Sequence, residues 1–129
     1  MAAIHSELTV ITRAKELCEY IMTVTQKSPK QFRFTFVSRL QNLSLDVIEK
    51  LYRANDTFVT RADRTAQERR LSFQHEALTD LRLVAYFAML AMGQQCILNK
   101  QYAQIARLSA DCQNLLGAWI NSDRRRLQP

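Results

Sequence analysis

Two glycines and two prolines in 129 residues leave this chain almost without the punctuation that sheets and phosphate-binding loops require. Tight hairpins need residues at positive φ, and P-loops and dinucleotide folds need several glycines in one short stretch. Gly93 and Gly117 stand too far apart for either device, so β-sheet classes and nucleotide hydrolysis by the usual loops are excluded. At 47% hydrophobic and 23% charged the composition is that of an ordinary globular protein, and the length suits a single domain, residues 1–129, around one core. The expected fold class is all-α.

Hydrophobic spacing then sets the elements. Val10, Ala14, Leu17, Cys18, Ile21 and Val24 share one face of a first helix, about 6–27, which Ser28-Pro29 stops because proline lacks the N–H donor and disfavours helix in the residue before it. Phe32, Phe36, Leu40, Leu43, Val47, Ile48 and Leu51 give a second helix, about 30–55. Residues 56–64 have no period and form the longest connection. Thr65 to Glu68 fits a capping box that opens a third helix, about 65–98 and on the order of 50 Å long, ended by Asn99-Lys100. A fourth, about 102–121, carries Ile105, Leu108, Cys112, Leu115, Leu116 and Trp119 on one face and leaves a basic tail, 122–129. Four long helices with short joints predict an antiparallel up-down-up-down four-helix bundle.

The third and fourth helices have more apolar surface than one bundle hides. Leu83, Phe87, Leu90 and Leu98 form a stripe roughly opposite Leu81, Ala85, Ala88 and Met92, and Ala103, Ala106, Ala110 and Gly117 form a line of small residues. Glycine inside a helix costs about 1 kcal/mol relative to alanine, so Gly117 suggests close approach of another backbone. Leu83, Phe87 and Leu90 with the four small residues are the expected contact in a homo-oligomer. A central helix embedded within a monomer would explain the same pattern.

Enzymatic chemistry finds little to use. His5 and His75 are the two histidines and neither has metal-ligand or catalytic spacing; His75 reads as an exposed helical residue. Cys18, Cys96 and Cys112 lie among apolar residues, without the CxxC spacing of redox or zinc sites, and read as small buried hydrophobes in a reducing compartment. No catalytic residue, metal, cofactor or small-molecule substrate is assigned. The N-terminus lacks the pattern of a signal peptide, and the most apolar run, Leu83 to Met92, is far shorter than the roughly 20 residues of a membrane span. A cytoplasmic location away from membranes is expected.

Charge is more informative. Eighteen Lys and Arg against twelve Asp and Glu give +6, and thirteen of the eighteen are arginine, the side chain that pairs bidentately with phosphate. The bundle topology brings Arg61, Arg64, Arg69 and Arg70 to the same end as Arg124, Arg125 and Arg126, where Asp56, Asp63, Glu68 and Asp123 leave a surplus of three positive charges. Arg69 and Arg70 lie early in a helix, where the macrodipole disfavours cations and a bound polyanion would compensate. A solvated helix end is the plainer reading. At the opposite end Lys27, Lys30, Arg33 and Arg39 fall in the acid-free interval from Tyr20 to Leu45, with Lys100 nearby. Phe32, Phe34 and Phe36 interleave with them and could stack bases, but Phe32 and Phe36 fit the core face, which leaves Phe34 alone as a candidate exposed ring; core packing is the favoured reading of these aromatics. The seven arginines of the first end and Lys27, Lys30 and Arg33 of the second are candidate nucleic-acid contacts, for RNA with DNA as the alternative. Arg39, which with Arg53 flanks Asp46 at seven-residue spacing, looks structural. Glu49 and Arg53 look like a helix-stabilising pair. Arg82, directly before the apolar segment, either pairs within the subunit or reaches a partner protein.

The chain resembles the four-helix bundle family that contains the accessory variability determinant proteins of diversity-generating retroelements and the ribosomal-RNA intervening-sequence proteins. The residues that carry the resemblance are Ala14 to Cys18, the Ser28-Pro29-Lys30 joint, Leu81-Arg82 and the stretch Leu115 to Ile120 followed by a basic end. It implies a basic, pentameric, non-catalytic ring that binds a reverse transcriptase and template RNA during mutagenic complementary-DNA synthesis, with Arg82 as the contact to the polymerase or to nucleic acid. The basic connection at 56–64, where the intervening-sequence branch carries an acidic segment, favours the retroelement branch. The alternative is an interaction or structural bundle of the intervening-sequence type with no nucleic-acid role.

Overall fold

The computed structural model describes residues 2–128, with side chains from Thr9 onward. Its long helices are α1 (Ala2–Thr25), α2 (Ser38–Asp56), α3 (Arg64–Gly93) and α4 (Asn99–Leu127), and no strand occurs among the described residues. α1 packs on α2, α2 on α3, α3 on α4 and α4 on α1, so helices adjacent in sequence are adjacent in space. Short joints between such neighbours make this an all-α four-helix bundle.

Each helix gives the core one seam spaced in steps of three and four. Ala14, Leu17 and Ile21 of α1, Leu40, Val47 and Leu51 of α2, Leu81, Val84 and Ala88 of α3, and Ile105, Cys112 and Leu116 of α4 are fully buried or nearly so. Trp119 is the largest fully buried side chain. Hiding each aliphatic side chain contributes about 1.5–3 kcal/mol, and these seams supply most of the drive to fold.

Four of the departures of the elements from the sequence reading each have a local cause. The segment expected to open the second helix is instead a 3-10 turn (Lys30–Phe32) followed by a π-helical turn (Arg33–Val37). The wider turn leaves Phe32 and Phe36 half-buried against the core, their ring centroids 5.9 Å apart. α3 is capped by Asp63, whose Oδ1 accepts the Ala66 N–H at 3.0 Å, and not by Thr65. The expected basic tail is helical through Leu127, so Arg124, Arg125 and Arg126 occupy the last turn of α4, where the macrodipole favours cations.

The fourth departure is the end of α3, at Gly93, several residues before the expected Leu98. The Cys96 N–H donates to the Ala91 carbonyl at 2.8 Å and the Gln95 N–H to that of Met92 at 3.0 Å, the paired bonds of a Schellman cap. That geometry puts Gln95 at φ 64°, a left-handed position where glycine is usual. Gln101 Oε1 then accepts the Leu98 N–H at 2.8 Å, so Asn99-Lys100, expected to end the third helix, instead opens α4 three residues before the expected Tyr102. Gln95→Gly is expected to raise stability by about 0.5–1 kcal/mol, the relieved backbone strain less the added freedom of the unfolded chain. Urea unfolding should show a higher midpoint at unchanged slope; a lower midpoint would show that Gln95 carries no strain there.

Candidate nucleic-acid interface

The expected arginine cluster forms only in part, because the bundle uses some of it internally. Arg70 is 6% exposed. Its Nε donates to Asp123 Oδ2 at 2.8 Å and its Nη2 to Asp123 Oδ1 at 3.0 Å, a bidentate pair joining α3 to α4. Gln74 Nε2 donates to Asp123 Oδ2 at 3.0 Å and Arg126 Nη2 to Asp123 Oδ1 at 2.7 Å. The Arg70 guanidinium also lies 4.9 Å from the centroid of the Trp119 ring, and its Nη1 is 3.5 Å from the Thr57 carbonyl. One carboxylate thus takes two arginines, and Arg70 is a structural residue where an exposed phosphate contact was expected.

This cluster was missed in the sequence although its signal was present. Arg70, Gln74, Ala77, Leu81, Val84, Ala88 and Ala91 form one uninterrupted run of four- and three-residue steps, all buried. Extending the apolar seam of α3 backwards lands on Arg70 and Gln74. The seam of α4, extended forwards, lands on Asp123.

The remaining arginines divide. Arg61 Nε donates to the Arg126 carbonyl at 3.2 Å and ties the connection to the end of α4. Arg61, Arg64 and Arg124 line a hollow of about 610 Å³ with Val59, Leu71 and Leu127. Arg69 faces a different groove, shared with Arg53, Asp56 and Asp63, and Arg125 is exposed outside both. Arg64, Arg69, Arg124 and Arg125 make no ion pair among the described residues.

At the other end Lys27, Lys30, Arg33 and Lys100 are all exposed, again without an ion pair among the described residues. Arg39 differs, its guanidinium lying 5.2 Å from the centroid of Phe87. Ser28 Oγ donates to the Cys96 carbonyl at 2.8 Å, so the α1–α2 and α3–α4 joints share this end. Lys30, Arg33 and Phe34 line a hollow of about 510 Å³ there.

Leu83 and Phe87 are half-buried on the subunit's own core, in keeping with the embedded-helix reading, while Leu90 is 39% exposed beside exposed Tyr86 and Met89. Ala103 and Ala110 are exposed, Ala106 and Gly117 half-buried. A Cβ added at Gly117 would meet nothing within 4 Å, so no backbone of the same subunit makes the expected close approach. Arg82 is exposed, and its neighbour Asp80 is paired with Lys50 at 2.6 Å. The Glu49–Arg53 pair is present at 2.9 Å. His75 is exposed, and the side chain of His5 lies outside the described residues. Burial pushes the Cys112 thiol up to about 12, which keeps it protonated and unreactive at neutral pH. Among the described residues no group of three or more His, Cys, Asp or Glu is placed to hold a metal, and no helix is long and apolar enough to cross a membrane.

With this geometry in view, the fold has a counterpart among solved structures. It is similar to a protein of unknown function from the S23 ribosomal protein family of Bacteroides thetaiotaomicron. The TM-score is 0.75, and the alignment covers 90% of this chain and 98% of that one at 16% sequence identity. At that identity the likeness establishes the shared bundle architecture alone. No protein-family profile and no curated protein matches the sequence.

Proposed function

We propose that this chain is a non-catalytic, oligomeric accessory protein that binds the phosphate backbone of RNA, with DNA as the alternative strand, beside a reverse transcriptase of a diversity-generating retroelement. The observation that carries the reading is the acid-free end. Lys27, Lys30, Arg33 and Lys100 are exposed there, and no Asp or Glu occurs between Tyr20 and Leu45 to neutralise them. Cations held without internal partners on a rigid bundle are costly in self-repulsion and are offset when a polyanion binds. Arg61, Arg64, Arg124 and Arg125 extend the contact at the other end. The retroelement setting, the pentameric ring and the polymerase contact through Arg82 rest on the family resemblance, and a cytoplasmic location rests on the unpaired, buried cysteines. The exposed Tyr86, Met89 and Leu90, with the open space over Gly117, support self-association through α3 and α4.

Asp123 favours a second reading for the arginine end, because it consumes Arg70 and Arg126. On that reading the chain is an interaction bundle of the intervening-sequence type and the arginines brace the fold. Salt separates the two. Each neutralised phosphate of a single strand lowers the slope of log affinity against log salt by about 0.7, so the four cations of the acid-free end predict a slope near −3. Titrating a labelled single-stranded RNA at several salt concentrations, with subunit mass followed by light scattering in the same samples, measures it. Absent or salt-independent binding would overturn the nucleic-acid reading and favour the structural one.

A further inference from the structure

We infer that Phe34 is a base-stacking platform, which makes the acid-free end a site for unpaired strands in preference to duplex. The inference rests on the nucleic-acid reading above and names the form of nucleic acid that this end takes. Phe34 is 86% exposed, the most exposed large hydrophobic side chain among the described residues. Its neighbours two residues away on either side, Phe32 and Phe36, turn inward and touch each other, so the turn between them is anchored at both flanks. That turn is braced further: Gln41 Nε2 donates to Thr25 Oγ1 at 2.9 Å, and Ser28 holds the adjoining α3–α4 joint.

Pinning Phe32 and Phe36 inward explains why residue 34 points out, but not why it is a phenylalanine, since any polar side chain would serve on that face. A ring presented on a fixed turn loses little freedom when a planar partner covers it. Lys30 and Arg33 line the same hollow as Phe34, so a nucleotide whose base covers the ring has cations beside it for its phosphates. In a duplex the bases are already paired and stacked, and the ring would gain nothing. An internal comparison sharpens the assignment. Phe58 is 83% exposed at the opposite end, yet its groove holds Asp56 and Asp63 against Arg53 and Arg69 and offers no surplus charge to a phosphate.

The test compares Phe34→Ala, Phe34→Tyr and Phe58→Ala with the unaltered protein, each against a short unstructured single-stranded RNA, the corresponding duplex, and inorganic polyphosphate, which has charge but no bases. Phe34→Ala is expected to weaken single-strand binding about tenfold. Phe34→Tyr should retain it, Phe58→Ala should not change it, and duplex and polyphosphate binding should be the same in all four proteins. If Phe34→Ala binds the single strand as tightly as the unaltered protein, or loses polyphosphate binding in the same proportion, the stacking role is overturned while the charge-based reading stands. If the unaltered protein binds neither RNA nor polyphosphate, that reading fails and the stacking role with it.

Discussion

Asp123→Ala is expected to destabilise the fold by about 3–5 kcal/mol, a large share of the roughly 5–15 kcal/mol that holds a domain of this kind together. The cost comes less from the lost attraction than from what stays behind. Arg70 is buried between α3 and α4, and without its carboxylate the guanidinium loses two charge-assisted hydrogen bonds where only 6% of the residue is open to water that could replace them. Gln74 loses its acceptor in the same step. Two further variants separate these contributions. Arg126→Ala removes a partly exposed partner of the same carboxylate and should cost no more than about 1 kcal/mol. Replacing Arg70 by methionine and Asp123 by leucine together takes out both buried charges and should recover most of the lost stability. Urea unfolding followed by circular dichroism reads all three, and a loss below about 1 kcal/mol for Asp123→Ala would show that water reaches Arg70.

Reversing the three cations of the acid-free joint, as Lys27→Glu, Lys30→Glu and Arg33→Glu combined, should lower single-stranded RNA affinity by about 50- to 100-fold at near-physiological salt. Each phosphate contact releases counterions worth roughly fourfold at 0.15 M, three together give about 50-fold, and reversal adds repulsion. All three side chains are exposed and none pairs with an acid among the described residues, so helicity should be unchanged and the unfolding free energy should shift by only about 0.5 kcal/mol per substitution or less. The log–log salt slope should become shallower by about two. Unchanged affinity would remove this end from the interface and leave the exposed arginines near the α4 terminus to account for any binding.

The bundle itself was legible in the sequence because an apolar seam repeating every three or four residues has one economical solution, and Leu17, Leu40, Leu81 and Leu116 all lie where that spacing puts them. What escaped the reading was governed by backbone chemistry or by polar residues standing in apolar positions. The turn at Arg33–Val37 keeps the phenylalanines near helical spacing while widening the backbone, which no residue count reveals. The end of α3 was hidden because glutamine, not glycine, takes the left-handed position at residue 95. At the arginine end, charge alone suggests a surface and carries no information on depth. Arg70, Gln74 and Asp123 sit on the core seams, and their periodicity, more than their charge, decides their fate. The spacing of Phe32 and Phe36 leaves Phe34 as a candidate for the surface, but core packing is the favoured reading from sequence, and only the structure shows how far the ring stands out.

Trp119 lends the molecule a practical handle. It is the sole indole in the chain, and its ring sits in a dry interior directly under a guanidinium whose position depends on the contact between the third and fourth helices. Its emission therefore reports on that contact from inside the protein, and loosening of this end, whether by urea, by mutation or by a bound anion, can be followed optically without attaching any label.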